Sequence, residues 1–176
     1  LEEYLRELAG PLSASMRPNF FVNTPDILTA YLQYGGPAAF AIRATLAATL
    51  SPTWGVYSGF ELGEHVAVRP GSEEYLDSEK YQVVRRHLDG PLLDRYARLN
   101  LVRRTHRALQ RIAPVRFLET ENDQLLAYTR GRGRDAVLCV VNLDAGARQV
   151  GLVHVPDDLA LDERFSVADV LDEQMY

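Results

Sequence analysis

The run Asn19-Phe20-Phe21-Val22-Asn23-Thr24-Pro25-Asp26 changes character partway along, and that change sets the fold class. Asn19 to Asn23 is a short apolar segment with two Phe and one Val, the length and composition of a buried strand. Thr24-Pro25-Asp26 then has the residues of a helix start. Thr serves as N-cap, Pro takes the first helical position and Asp sits at the positive end of the dipole. Ile27 to Tyr34 continues that helix until Gly35-Gly36-Pro37 breaks it. Ala38 to Leu50 is a second helix, rich in Ala and almost uncharged, so it is expected to be buried. Ser51-Pro52 ends it, and Trp54-Gly55-Val56-Tyr57 reads as another buried strand. This is βα order, as in a parallel sheet or an α/β barrel.

Upstream, Leu1, Tyr4, Leu5 and Leu8 recur at helical spacing and Gly10-Pro11 stops them. Downstream, Ser58 to about Leu88 is polar, irregular and rich in Gly, Pro, Glu and Asp, with Tyr75 and Tyr81 inside it. Long loops in compact domains tend to be functional. Pro91 to about Ile112 is helical again. After Pro114 the pattern becomes strand-like, with Val115–Leu118, Leu125–Thr129, Ala136–Leu143, Arg148–Val155 and Ser166–Leu171 separated by turn residues. Residues 1–112 therefore read as α/β, and residues 113–176 as an all-β antiparallel sandwich.

The 176 residues are 47% hydrophobic and 24% charged, ordinary for a globular chain. Net charge is −5 and the 19 basic residues are scattered, which argues against a nucleic-acid partner. Cys139 is the one cysteine, so no internal disulfide forms and a reducing, cytoplasmic setting is expected. The longest mostly apolar stretch, Ala38 to Leu50, contains Arg43 and is too short to span a bilayer. The start Leu1-Glu2-Glu3-Tyr4 is acidic, lacks Met and falls inside a helical pattern. The end follows soon after a strand-like run, so the chain is expected to be a piece of a longer protein. The four His are dispersed and there is no glycine-rich phosphate loop, so no metal and no other cofactor is expected.

Active sites of α/β barrels lie at the C-terminal ends of the strands. The first strand end delivers Asn23 and Asp26; the second delivers Tyr57, Gly59, Glu61 and Glu64, followed by the loop with Lys80 and Tyr81. On its own tripeptide, Asp26 is more simply a helix-start Asp complementing the dipole. Lys80 alone would be a surface lysine. Asn23 orients Asp26 or caps the strand, a supporting role in either case. Glu61 and Glu64 line the site or edge a solvated loop. Trp54 and Tyr57 read as core rather than sugar platforms. His65 and His106 read as structural, and Glu73, Glu74, Asp77 and Glu79 as a solvated acidic loop. Cys139 reads as an inert core thiol.

Asn-Thr-Pro-Asp after an apolar strand, followed by Trp-Gly-Val-Tyr-Ser-Gly-Phe-Glu, resembles the last two barrel strands of the α-amylase superfamily. Many members carry Asn-His-Asp at the first site, where Thr24-Pro25 stands here. The strings from Arg17 to Leu28 and from Arg69 to Tyr81 narrow the resemblance to bacterial α-1,4-glucan:maltose-1-phosphate maltosyltransferases. It extends over the chain and is strongest through about residue 81. The resemblance implies the C-terminal part of a (β/α)8 barrel followed by a β-sandwich. It implies maltosyl transfer from α-maltose 1-phosphate to an α-1,4-glucan with release of phosphate and retention of configuration. It also implies a homodimer, with no membrane partner. Asp26 matches the carboxylate that stabilises the transition state, and Lys80 and Tyr81 match a donor-binding pair. The nucleophile and acid/base carboxylates would come from strands outside this chain, so the chain alone is expected to be inactive. The alternatives are an α-glucan hydrolase or trehalose-interconverting enzyme of the same superfamily, or a non-catalytic glucan-binding or assembly module.

Overall fold

A computed structural model describes residues 1–78, 82–156, 159, 166–171 and 174–175. Helix α1 (Glu2–Ala9) places Glu2 and Glu3 in its first turn, where they complement the dipole, and buries Leu5 and Leu8. Strand β1 (Asn19–Phe21) follows, then helices α2 (Ala30–Tyr34) and α3 (Gly36–Leu50), and strand β2 (Thr53–Gly55). β1 and β2 run parallel, with Asn19, Phe20 and Phe21 opposite Thr53, Trp54 and Gly55. The Phe21 ring lies over Gly55, where a Cβ would sit 2.5 Å from it, so any larger residue would have to push the exposed ring aside.

The expected helix start at Thr24 is instead a tight turn, closed by Ile27 N–H donating to Thr24 O at 3.1 Å. Thr, Pro and Asp also suit the first three positions of a type I turn. Tertiary pairing decides between the two: Tyr75 N–H donates to Pro25 O (3.2 Å) and Leu28 N–H to Glu73 O (2.6 Å). The helix therefore begins only after Thr29. The loop from Ser58 to Leu88 is less irregular than its composition suggests. Leu76 pairs with Val66 and Val68 with Glu74 through backbone hydrogen bonds around an Ala67–Tyr75 bridge.

The helical pattern from Pro91 to Ile112 splits into α4 (Leu93–Thr105) and a 3-10 turn, Arg107–Gln110. His106 is extended at the break, and Gln110 Nε2–H folds back to donate to the carbonyls of Arg103 and Arg104. Strands β3 (Val115–Leu118), β4 (Leu125–Arg130) and β5 (Val137–Asn142) form an antiparallel sheet in that order. The expected strand at Arg148–Val155 is an isolated bridge, Thr120 to Val153, flanked by backbone bonds from Glu121 to Leu152 and from His154 to Glu119. Within Ser166–Leu171 the strand is β6 (Ala168–Asp169), paired with β7 (Gln174–Met175). The architecture is mixed α/β with an antiparallel sheet.

Helix α3 sits between two cores, which is why it has no polar face. Ala39, Phe40, Ala44 and Ala48 join Val22, Leu28, Leu32 and Leu99 in one cluster. Leu50, with Ile42 and Leu46, joins Leu5, Phe117, Tyr128, Cys139 and Val141 in the other. Polar bonds cross the same junction. Thr49 Oγ1 and Tyr128 Oη lie 2.5 Å apart. The Arg103 guanidinium donates to the carbonyls of Ala48, Ser51, Pro52 and Leu109. Arg130, fully buried in β4, donates to the carbonyls of Arg111 and Ile112.

Candidate active site

Chain leaving β1 enters a platform built from three segments. Val22 N–H still pairs with Gly55 O, and Arg43 of α3 donates from Nε to Val22 O. Asn23 is only 2% exposed. Its Nδ2–H donates to Tyr75 Oη at 2.5 Å, and its Oδ1 accepts Tyr57 N–H at 3.3 Å. One buried amide thus joins the end of β1, the chain beyond β2 and the long loop. Asp26 stands exposed on the turn that follows. Gln33 Nε2–H fixes the far side of this turn by donating to Leu28 O and Ser72 O.

The chain beyond β2 forms the floor. Tyr57 and Tyr75 rings pack with centroids 5.5 Å apart, and Tyr57 Oη lies 3.3 Å from Oγ of the buried Ser78. Burial pushes the Tyr75 phenol up to about 12. Glu61 accepts Gly59 N–H at 3.1 Å. Glu64 is held by one edge of the Arg86 guanidinium, Nε–H donating to Oε1 at 2.7 Å and Nη2–H to Oε2 at 3.0 Å, a fork that occupies both its oxygens. Gly59 makes room for this pair: it has φ +100°, and a Cβ there would lie 2.1 Å from Glu64 Oε2. Trp54 packs on Tyr96 with ring centroids 5.2 Å apart and belongs to the first core cluster. His65 Nδ1 meets Gly63 O at 2.9 Å.

Asn23 and Asp26 therefore come together at one strand end, with Tyr57, Glu61 and Glu64 at the other. Lys80 and Tyr81, like Glu79 of the acidic loop, lie outside the described residues. Tyr75, Ser78 and Arg86 also join this site, though no motif in the sequence marks them as functional. The available signal was their position in a long polar loop, since their partners Asn23, Tyr57 and Glu64 are remote in sequence. Among the described residues, no group of three or more His, Cys, Asp or Glu could hold a metal ion. A carboxylate on a rigid turn can stabilise developing positive charge and accept hydrogen bonds from sugar hydroxyls. Glycosyl transfer with retention needs two further carboxyl groups about 5 Å apart.

Comparison with known proteins finds relatives along this chain. The family described as "GLGE, C-terminal" matches residues 117–176. A Streptomyces coelicolor protein named alpha-1,4-glucan:maltose-1-phosphate maltosyltransferase 2 is 53% identical over 95% of this chain and 26% of its own length. A Myxococcus xanthus protein named alpha-1,4-glucan:maltose-1-phosphate maltosyltransferase is 46% identical over 99% of this chain and 27% of its own. A Corynebacterium glutamicum protein of the same name is 55% identical over 82% of this chain and 22% of its own. The chain spans about a quarter of the length of these curated relatives.

Proposed function

We propose that this chain is part of an α-1,4-glucan:maltose-1-phosphate maltosyltransferase, an enzyme extending α-1,4-glucans from α-maltose 1-phosphate with release of phosphate, on the strength of its 46–55% identity to proteins of that name. The observation that carries the reading is Asp26, exposed on a braced turn at the end of a strand in a parallel pair. In this reading residues 1–112 are the last part of a (β/α)8 barrel and residues 113–176 begin a β-sandwich. The parallel β1–β2 pair with its helical crossover and the antiparallel β3–β4–β5 sheet support that division. The enzyme acts in the cytoplasm as a homodimer, a setting compatible with a single buried thiol.

As the bond to phosphate breaks and the nucleophilic carboxylate bonds to the anomeric carbon, the sugar passes through an oxocarbenium-like transition state, and the acceptor hydroxyl then displaces the carboxylate. Asp26 faces that developing charge and holds the sugar hydroxyls, while carboxylates from the remainder of the enzyme act as nucleophile and acid/base. Asn23 supports the turn. Lys80 offers a positive charge and three donors to the donor's oxygens, and Tyr81 offers a hydroxyl and a ring face.

The test is phosphate release from α-maltose 1-phosphate with glycogen as acceptor, using the full-length enzyme. Asp26→Asn should cut turnover by at least about a hundredfold, the scale of losing one preorganised electrostatic contact. Near-normal turnover in a folded Asp26→Asn enzyme would sink the assignment. Sugar release from glycogen without phosphate release would favour a hydrolase, and conversion of added maltose to trehalose would favour a trehalose-interconverting enzyme.

A further inference from the structure

We infer that Tyr75 is a positioning residue for Asp26, holding the carboxylate's turn through its phenol on Asn23 and its backbone on Pro25. This rests on the reading of Asp26 given above. Tyr75 grips the approach to the carboxylate at two points. Its backbone N–H donates to Pro25 O, one residue before Asp26. Its Oη accepts the Asn23 amide, three residues before Asp26, at 2.5 Å. The same segment receives Leu28 N–H at Glu73 O, so the turn is bracketed on both flanks.

A tyrosine serving only as core would leave its hydroxyl interchangeable with hydrogen. Ring packing on Tyr57 and membership in the first hydrophobic cluster would both survive in a phenylalanine. The hydroxyl is what ties a buried amide at the strand end to the loop. Without it, Asn23 Nδ2 loses its acceptor in a site sealed from water. The amide then re-orients to find another acceptor, and the turn it anchors shifts with it. Displacement of a reacting group by a fraction of an ångström is costly, because transition-state contacts are the most demanding of geometry.

The full-length enzyme carrying Tyr75→Phe tests this. A contact made only in the transition state lowers kcat and kcat/KM together. We expect both to fall about tenfold while KM for maltose 1-phosphate is unchanged, because the donor's ground-state contacts are not touched. Asn23→Ser reports on the same bond and serves if Tyr75→Phe does not fold; it should give the same pattern. The double variant should be no slower than Asn23→Ser alone, since Asn23→Ser already removes the bond to Tyr75 along with the one it accepts from Tyr57 N–H. A purely structural role would lower the melting temperature while kcat per folded molecule stays within twofold of the parent, and that result overturns the inference. Additive losses in the double variant overturn it as well. If Asp26→Asn itself retains turnover, the reading of Asp26 fails. If Asp26→Asn is inactive and Tyr75→Phe keeps its kcat, only the role of Tyr75 fails.

Discussion

Cys139 lies on the inner face of β5 between the sheet and helix α3, beside Tyr128. Burial pushes its thiol up from 9.0 to about 11, and it pushes the Tyr128 phenol well above its ordinary value. Between pH 9 and 11 the unfolded chain has lost the thiol proton while the native chain keeps it. The native state then binds more protons, so stability present below pH 9 is lost as pH rises towards 11. One group contributes about 1.4 kcal/mol per pH unit in that window. Tyr75, raised from 10.0 to about 12, adds a second loss beginning near pH 10. Urea unfolding at pH 7.5, 9 and 10 should therefore show a steepening decline. Cys139→Ala should be less stable at neutral pH, from the lost packing, yet decline less between pH 9 and 10. Parallel declines in the two proteins would refute the argument. A buried neutral thiol is also a poor nucleophile, so Cys139 should react with a thiol reagent only when the protein unfolds.

At the scale of elements, the C-terminus of α3 depends on a side chain from α4. The Arg103 guanidinium donates to Ala48 O in the last turn of α3 and to Ser51 O and Pro52 O beyond it. A cation at this end also complements the helix dipole. Arg103→Ala strands these carbonyls in a half-buried site and should cost about 2–3 kcal/mol of unfolding free energy. Arg103→Lys should recover only part, because an ammonium lacks the planar fork that spans several carbonyls. Equal denaturation midpoints for Lys and Arg would show that charge alone matters. Such a contact also marks what the sequence could reveal. Alanine richness marks α3 as a buried helix, and a short strand-like run after Pro114, set off by turn residues, marks β3, because these signals are local. Arg103 and Arg130 look like ordinary polar positions, since the carbonyls they satisfy lie far along the chain or across a turn. The turn at Thr24–Ile27 was misread for a related reason. Thr-Pro-Asp suits a helix start and a tight turn alike, and the pairing with Glu73 and Tyr75 decides between them. Asn23 and Asp26 were legible as candidates because a short motif at a strand end carries them. Tyr75 was not, because its meaning comes from an amide 52 residues earlier.

Across the whole molecule, the two parts read from the sequence share more than a boundary near residue 112. Helix α3 contributes to both hydrophobic clusters, and Thr49, Arg103 and Arg130 add polar bonds at the same junction. The β1–β2 pair, by contrast, is thinly covered. Parallel sheets are nearly always buried on both faces. Here Phe21 is 53% exposed on β1, and Ile27 and Tyr31 are also exposed close after it. In the proposed enzyme, neighbouring barrel strands would cover this face. The 176-residue chain by itself leaves it open, and an uncovered apolar face with unpaired strand edges invites association. Light scattering coupled to size exclusion should find the isolated chain in oligomers at micromolar concentration, and it should bind a hydrophobic dye. Phe21→Lys should reduce both effects without unfolding β3–β4–β5, because the Phe21 ring lies over Gly55 and takes no part in the second cluster. A monodisperse monomer that binds no dye would mean that the β1–β2 face is closed without help from other strands, and the case for a larger barrel around it would lose its physical basis.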